Sequence, residues 1–217
     1  MKQVYAPGCA LLIYKPQLAE KVLAFLNNNL GEIPEHRICC RHEPNLEKGT
    51  QVINTCAGCD KRYRELYDGI STLSLWEILA ESKTFPFPDY KDMEMSIHDA
   101  CPTRTEERVQ SAIRKLLVRM NIKVVEPKNT RTQAICCGDS FYGTLPIEDV
   151  KKQMEKRSNE MPCENVVVYC VSCIKAMYIG GKKPRYMIDL LFGEETEIGT
   201  FEPDEWHNQL QKFIDKH

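Results

Sequence analysis

The chain has 217 residues, with 29 lysines and arginines against 31 aspartates and glutamates, giving a formal net charge of -2. That balance offers no general attraction to nucleic acid or to an anionic membrane surface, and no stretch approaches the roughly 18 apolar residues of a membrane span. A hydrophobic content of 42% suffices for an ordinary core, in one compact body or in two small lobes.

Lys2 to Ala6 reads as a strand that opens the fold at once, with Cys9 just beyond it. No long apolar stretch of a secretory signal precedes it, so the expected location is the cytoplasm. Gln17 to Asn28 reads as a helix, with Leu18, Val22, Phe25 and Leu26 at helical spacing. Gln51 to Asn54 is a short strand, Cys56-Ala57-Gly58-Cys59 follows it, and Asp60 to Tyr67 is helical. Ser74 and Glu77 form a capping box for a helix through Trp76, Ile78 and Leu79. Lys83 to Lys91 contains Phe85-Pro86-Phe87-Pro88, whose prolines break regular structure and mark a linker between residues 1–84 and 92–193.

The second half opens with a strand from Glu94 to His98, and Cys101 follows. Thr103 and Glu106 suggest another capping box, and Val109, Ala112, Ile113, Leu116, Leu117 and Met120 mark one helix face. Ile122 to Val125 is a strand, and Ile147 to Glu160 is a charged helix behind Pro146. Asn165 to Tyr169 is the strongest strand pattern and runs straight into Cys170-Val171-Ser172-Cys173. A helix from Arg185 to Phe192 ends at Gly193. Residues 194–217 read as a solvated tail with the acidic stretch Glu194 to Glu197, a short helix from Gln209 to Asp215, and Trp206 and Phe213 for packing.

Alternating strands and helices predict an α/β fold of two pseudo-repeated lobes, each a small parallel-rich sheet with flanking helices. In such sheets ligands gather beyond the carboxyl ends of the strands. The cysteines fall there, in an order that occurs twice. Cys9, Cys39-Cys40 and Cys56-x-x-Cys59 form one set; Cys101, Cys136-Cys137 and Cys170-x-x-Cys173 form the other. Ten of the eleven cysteines belong to this scheme, and Cys163 reads as a packing or surface thiol. A reducing compartment argues against a disulfide framework. Soft thiolates gathered at one place are iron–sulfur or zinc ligands, and five per set exceed the four that a zinc ion or an ordinary cubane takes. The surplus is either a ligand of an unusual multi-iron centre or an accessory thiol. His98 reads as a donor to a ligand sulfur or as a core histidine. Arg41, His36 and His42 read as surface charge, with tuning of the first set or binding of an anion as the alternative.

The second set resembles the signature of the cysteine-rich CCG domain family: Cys101, 34 residues, Cys136-Cys137-Gly138, 31 residues, then Cys170-x-x-Cys173, with His98-Asp99-Ala100 leading in. With both halves counted, the resemblance to the tandem CCG component of heterodisulfide reductase covers residues 3–193. It implies that each set holds a noncubane 4Fe-4S cluster through all five cysteines, up to two clusters in the chain. It implies an oxidoreductase within a complex, served by a flavoprotein or ferredoxin-like electron carrier and acting on a small disulfide or another redox substrate. The first half departs from the pattern. Arg41 stands where the glycine is expected, and only 15 residues separate Cys40 from Cys56, against 32 between Cys137 and Cys170, so a helix is missing there. Glycine matters at that place if backbone must come close to a cluster. Two other readings stay open: a zinc-binding structural or assembly module, and a metal-free thiol–disulfide oxidoreductase built on the two C-x-x-C motifs at helix starts. No G-x-G-x-x-G fingerprint for a dinucleotide is present.

Overall fold

A computed structural model describes residues 2–217. The first half runs β1 (Gln3–Ala6), α1 (Cys9–Tyr14), α2 (Pro16–Leu30), β2 (Gln51–Asn54), α3 (Ala57–Leu66), β3 (Ser71–Ser74) and α4 (Leu75–Glu81). The second runs β4 (Met93–His98), α5 (Glu107–Arg119), β5 (Ile122–Val125), α6 (Ile147–Ser158), β6 (Asn165–Val168), α7 (Val171–Ile179), β7 (Lys183–Tyr186) and α8 (Met187–Phe192), and α9 (Pro203–Ile214) follows. The strands form two sheets, ordered β1-β2-β3 and β5-β4-β6-β7, and every pairing is parallel. The fold is therefore α/β with two parallel-sheet lobes, as the alternation of strand and helix predicts.

The halves correspond in order: β1 with β4, β2 with β6, β3 with β7, α2 with α5, and α3 with α7. Two elements have no full counterpart in the first half. The place of β5 is taken by the single bridge Tyr5–Glu35, closed by Tyr5 N–H on Pro34 O at 2.8 Å and His36 N–H on Tyr5 O at 2.7 Å. The place of α6 is empty, since no helix or strand lies between α2 and β2. This is the missing helix that the short Cys40–Cys56 spacing announces.

One apolar core runs through both lobes, with α4 packed against α5 through Leu75, Trp76 and Leu79 on one side and Val109, Ile113 and Leu116 on the other. The linker is irregular as expected, yet it is packed: Phe85 makes edge contacts with Phe25, Phe87 and Phe192 at 5.2, 4.9 and 5.6 Å. A buried ion pair crosses between the halves, Lys15 Nζ to Asp189 Oδ1 at 2.7 Å, and Tyr14 donates to the other carboxylate oxygen at 2.6 Å.

Three expectations are corrected. Arg185 and Tyr186 lie in β7, and the helix begins at Met187. Lys183-Pro184-Arg185-Tyr186 alternates, with Pro184 and Tyr186 buried, but four residues that include a proline do not read as a strand, and the proline fits because β7 is an edge strand. The capping box at Ser74 and Glu77 forms, whereas the one at Thr103 and Glu106 does not. Thr103 instead donates its hydroxyl to Ala100 O at 2.8 Å and meets the Tyr169 hydroxyl at 2.9 Å, holding the turn after β4. Residues 194–217 are not a solvated tail. Helix α9 begins at Pro203, with acidic residues in its first turn, and buries Trp206 and Ile214. Helix α1, Cys9 to Tyr14, is an element that the sequence reading does not name.

The turn between β4 and Cys101 hangs on Asp99. Its carboxylate takes a bidentate pair from Arg114 at 2.7 and 2.7 Å, the Arg131 amide at 2.7 Å and the Tyr169 hydroxyl at 3.0 Å. Burial pushes the Asp99 pKa up, but these donors, Arg114 foremost, overcome it and hold the group below the usual carboxylate range. Asp99→Ala is expected to cost about 1–3 kcal/mol in urea denaturation, because it removes the buried acceptor of the Arg131 amide and the Tyr169 hydroxyl, while Arg114 keeps Glu126 at 2.8 Å. With a depressed folded pKa, the Asp99 contribution is complete above the unfolded value of about 3.9 and fades as pH falls through the lower folded one. The stability gap between wild type and Asp99→Ala should therefore narrow only in acid.

Candidate functional site

The parallel strands deliver the cysteines to one edge of each sheet. β1 and β4 end at Ala6 and His98, three residues before Cys9 and Cys101, and β2 and β6 end just before Cys56 and Cys170. Cys56 and Cys170 are the residues that cap α3 and α7, so each C-x-x-C opens a helix whose first amides are free. At Cys56 the thiol is drawn down to about 7, first by the Cys59 side chain and then, against burial, by the backbone amides of Cys59 and Gly58.

Within each set the thiols act on one another's ionisation in the same sequence. In the first, Cys9 is coupled to Cys39, Cys39 to Cys40, Cys40 to Cys59 and Cys59 to Cys56. In the second, Cys101 is coupled to Cys136, Cys136 to Cys137, Cys137 to Cys173 and Cys173 to Cys170. The ten cysteines named from the sequence thus fall into two groups of neighbouring thiols, and all eleven cysteines are free. The first member of each CC pair is the anionic one. Cys39 is pulled well below a normal thiol by the Cys40 and Cys9 side chains, and Cys136 likewise by Cys101 and Cys137. Cys136 also accepts from Ser140 Oγ at 2.9 Å and from the Gly138 amide at 3.4 Å. The partners move the other way: Cys40 is pushed up to about 12 by Cys39, and Cys9 and Cys101 rise far above a normal thiol.

Two glycines fit the backbone around these sulfurs. Gly8 has φ +79°, and a Cβ there would meet Cys56 Cβ at 3.3 Å and Cys59 Sγ at 3.4 Å, so the chain passes the first set where a side chain would crowd it. Gly138 has φ +112°, and its Cβ would fall 2.7 Å from both Met154 Cγ and the Met154 amide nitrogen. Those atoms belong to α6. The glycine after the second CC pair is therefore required by a helix packed on its turn. The first half lacks that helix and tolerates Arg41, which is exposed and has no left-handed φ.

Three buried nitrogens border the sulfur groups without a hydrogen-bond partner: Nε2 of His36, Nε2 of His98 and Nζ of Lys175. His36 lines a cleft with Cys9, Cys39, Cys40 and Cys59. A ring nitrogen of His98 and the sulfurs of Cys137 and Cys173 all lie within 4.8 Å of one another, the tightest group of metal-type donors among the described residues. Arg157 Nε donates to His98 Nδ1 at 3.2 Å, and burial followed by the Arg157 charge drives the imidazole down to about 3, so it is neutral. Arg41 and His42 are exposed; His42 Nε2 lies 2.9 Å from Ile214 O, and the histidine's charge favours the Cys39 thiolate. Cys163 sits before β6, at the opposite end of the sheet from the second set, and its amide donates to Ser96 Oγ at 2.7 Å.

The two sets face each other. A narrow cleft is lined by Cys56 of the first set, Cys170 of the second, and Thr55, Tyr169 and Tyr186. The Tyr186 phenol is raised by burial and then by the negative charge of Cys56 and Cys170, which places it within reach of both. Helix α9 straps both sites. Trp206 Nε1 donates to Ser172 Oγ at 3.0 Å beside the second, and the Cys39 amide donates to His217 O at 3.2 Å beside the first.

No family model and no curated protein matches this chain. The donors themselves carry the assignment: clustered cysteines with a neighbouring histidine permit metal binding, and both iron–sulfur and zinc chemistry suit them.

Sequence reasoning passed over Lys175, Tyr186 and Ser140, and gave Trp206 only a packing role. Lys175 had a visible signal, being the only charge in the otherwise apolar α7 segment VSCIKAMYI. Ser140 and Tyr186 reach the sites through tertiary contacts that no local pattern reports.

In metal-free, reduced protein at pH 7, iodoacetamide is expected to mark Cys136 at least about tenfold faster than Cys101 or Cys137, because the thiolate is the nucleophile. Peptide mapping after short exposure checks this, and Ser140→Ala should slow the reaction at Cys136.

Proposed function

We propose that this chain is an iron–sulfur redox protein of the heterodisulfide reductase type, working within a complex. Cys9, Cys39, Cys40, Cys56 and Cys59 would hold one noncubane cluster, and Cys101, Cys136, Cys137, Cys170 and Cys173 the other. The observation that carries the reading is the placement of the same cysteine order, single cysteine, CC pair and C-x-x-C, at the strand ends of both lobes, with the thiols of each set acting on one another's ionisation. A zinc ion needs four such donors and would leave one over at each site, whereas a multi-iron centre uses five. The orphaned nitrogens of His36, His98 and Lys175 point the same way. Each is a buried donor lacking an acceptor, and ionised sulfur supplies one.

Bound there, such clusters supply one-electron chemistry. The reaction that fits is reduction of a disulfide: two electrons and two protons split one S–S bond into two thiols, and the electrons come singly from a flavoprotein or ferredoxin-like carrier. Relay of electrons from another oxidised metabolite is the variant of the same reading. The chain's own part is to hold both sulfur groups on one cleft, with Tyr186 between Cys56 and Cys170. A second reading, a zinc-stabilised assembly module, draws on the close grouping of His98, Cys137 and Cys173.

Protein purified without oxygen is expected to contain several irons per chain with matching acid-labile sulfide, and to give an EPR signal when oxidised. Cys136→Ser and Cys137→Ser should each lose the signal of one site and abolish electron transfer. A colourless protein with stoichiometric zinc, taking up no iron on reconstitution, decides for the second reading.

A further inference from the structure

We infer that helix α9 is a hinged strap that opens as one unit and governs access to both cysteine sets. The inference goes beyond the iron–sulfur reading and does not depend on which metal the sulfurs take.

The root of the strap is bolted down. Lys21 Nζ meets Glu194 at 2.6 Å, Lys15 Nζ donates to the Glu195 carbonyl at 2.7 Å, the Tyr186 amide donates to Thr196 Oγ1 at 2.7 Å, and the Glu197 amide donates to the Tyr14 hydroxyl at 2.9 Å. Residues 198–202 are held more lightly. Gly199 has a left-handed φ of +60°, Thr200 turns back on Glu205 within the same segment, and Phe201 is exposed. Glu202 meets Lys151 at 2.8 Å, a solvated pair that adds little. A hinge needs a few loop residues that can absorb a change of backbone angle, and this stretch supplies them.

Beyond the hinge, the 12 residues of α9 form a rod about 18 Å long that reaches from one set to the other. Near its start, Trp206 Nε1 donates to Ser172 Oγ, inside the second C-x-x-C, at 3.0 Å. His207 meets Asp139, two residues after Cys137, at 3.1 Å, and its ring stacks on Tyr142 at 3.7 Å. At the other end, Ile214 completes the small core that contains Cys39, Cys40 and Cys59, and the Cys39 amide donates to His217 O at 3.2 Å. The anchors at both ends therefore fall on the segments that carry the cysteines.

The seat of the helix is thin. α9 buries only Pro203, Trp206 and Ile214, and clefts of about 80 and 190 Å³ lie against it, one beside Trp206 and Gln209 and the other beside Phe213. Few buried apolar contacts place a segment at the low end of local stability. When the rod lifts, Cys39 and Cys40, only 5% and 7% exposed, lose their cover, and the second C-x-x-C loses its bond to Trp206.

The test is hydrogen exchange on the full chain purified without oxygen, read by mass spectrometry at single residues. The Cys39 amide reports the first set, and the amides of His207 to Ile214 report the helix. They should share one protection factor, at least about tenfold below that of β6. Trp206→Ala, at the far end of the helix from Cys39, should lower the protection of the Cys39 amide at least about tenfold and leave β6 unchanged. His207→Ala, at a half-buried position, should lower it at least about threefold, and it serves if Trp206→Ala does not fold. In metal-free, reduced protein, iodoacetamide should reach Cys39 faster by the same factor in each variant. A Cys39 amide unmoved by both variants means that the two ends fray separately, and the inference falls. It falls too if α9 is as protected as β6, or if β6 loses as much protection as Cys39, since the helix then opens only with the whole fold. Constant labelling of Cys39 while its amide loses protection means that the helix moves without governing access, and that also overturns it.

Discussion

Five sulfurs crowded at the ends of two buried strands repel one another as soon as more than one is ionised, and much of this molecule answers that constraint. Within each set, the first cysteine of the CC pair is drawn furthest toward the thiolate, its partner in the pair and the lone cysteine are pushed the other way, and at the first set Cys56 is drawn down to about 7. The C-x-x-C motifs sit where helix amides are free, and histidine and lysine nitrogens are buried alongside with no other partner. None of these arrangements makes sense for packing alone, since an unpartnered buried donor costs about 1–3 kcal/mol. They make sense if the sulfurs are meant to be anionic together, which requires a bound cationic centre.

The duplication is visible in the register as well as in the cysteine order. β4 meets β6 with His98 opposite Val168, and β1 meets β2 with Ala6 opposite Asn54, so both C-x-x-C turns leave their sheets at the same level. What differs between the lobes is the wrapping. The second has an extra strand and an extra helix; the first makes do with a single bridge at Glu35 and with the carboxyl-terminal helix drawn over it. Helix α9 therefore compensates for the shorter first half, since Ile214 fills the small core of Val4, Val52 and Tyr63.

The parts of this design written in local pattern are legible in the sequence. Strands ending at cysteines, the Ser74–Glu77 cap, the apolar face of α5 and the missing helix after Cys40 all follow from spacing and periodicity. β3 and β7 escape such a reading because both are four-residue edge strands: Ser71-Thr72-Leu73-Ser74 gives no alternation, and the alternation in Lys183-Pro184-Arg185-Tyr186 is short and interrupted by its proline. α1 escapes it because six residues ahead of a proline are too few for a helical period. The start of α9 is within its reach, since Pro203-Asp204-Glu205 is an ordinary helix opening. The meeting of the two sets across one cleft is not, because it depends on how two sheets separated by a linker share a core.

Gly138 has a consequence for the shape of the second lobe. A Cβ at that place would fall 2.7 Å from Met154, so α6 can lie over the turn that carries Cys136 and Cys137 only because the next residue has no side chain, and its amide still reaches the Cys136 sulfur at 3.4 Å. Arg41 needs no such room, because no helix lies between α2 and β2 to cover the first pair. The glycine thus decides whether a helix can be laid over the pair, and with it the thickness of the lobe at that edge.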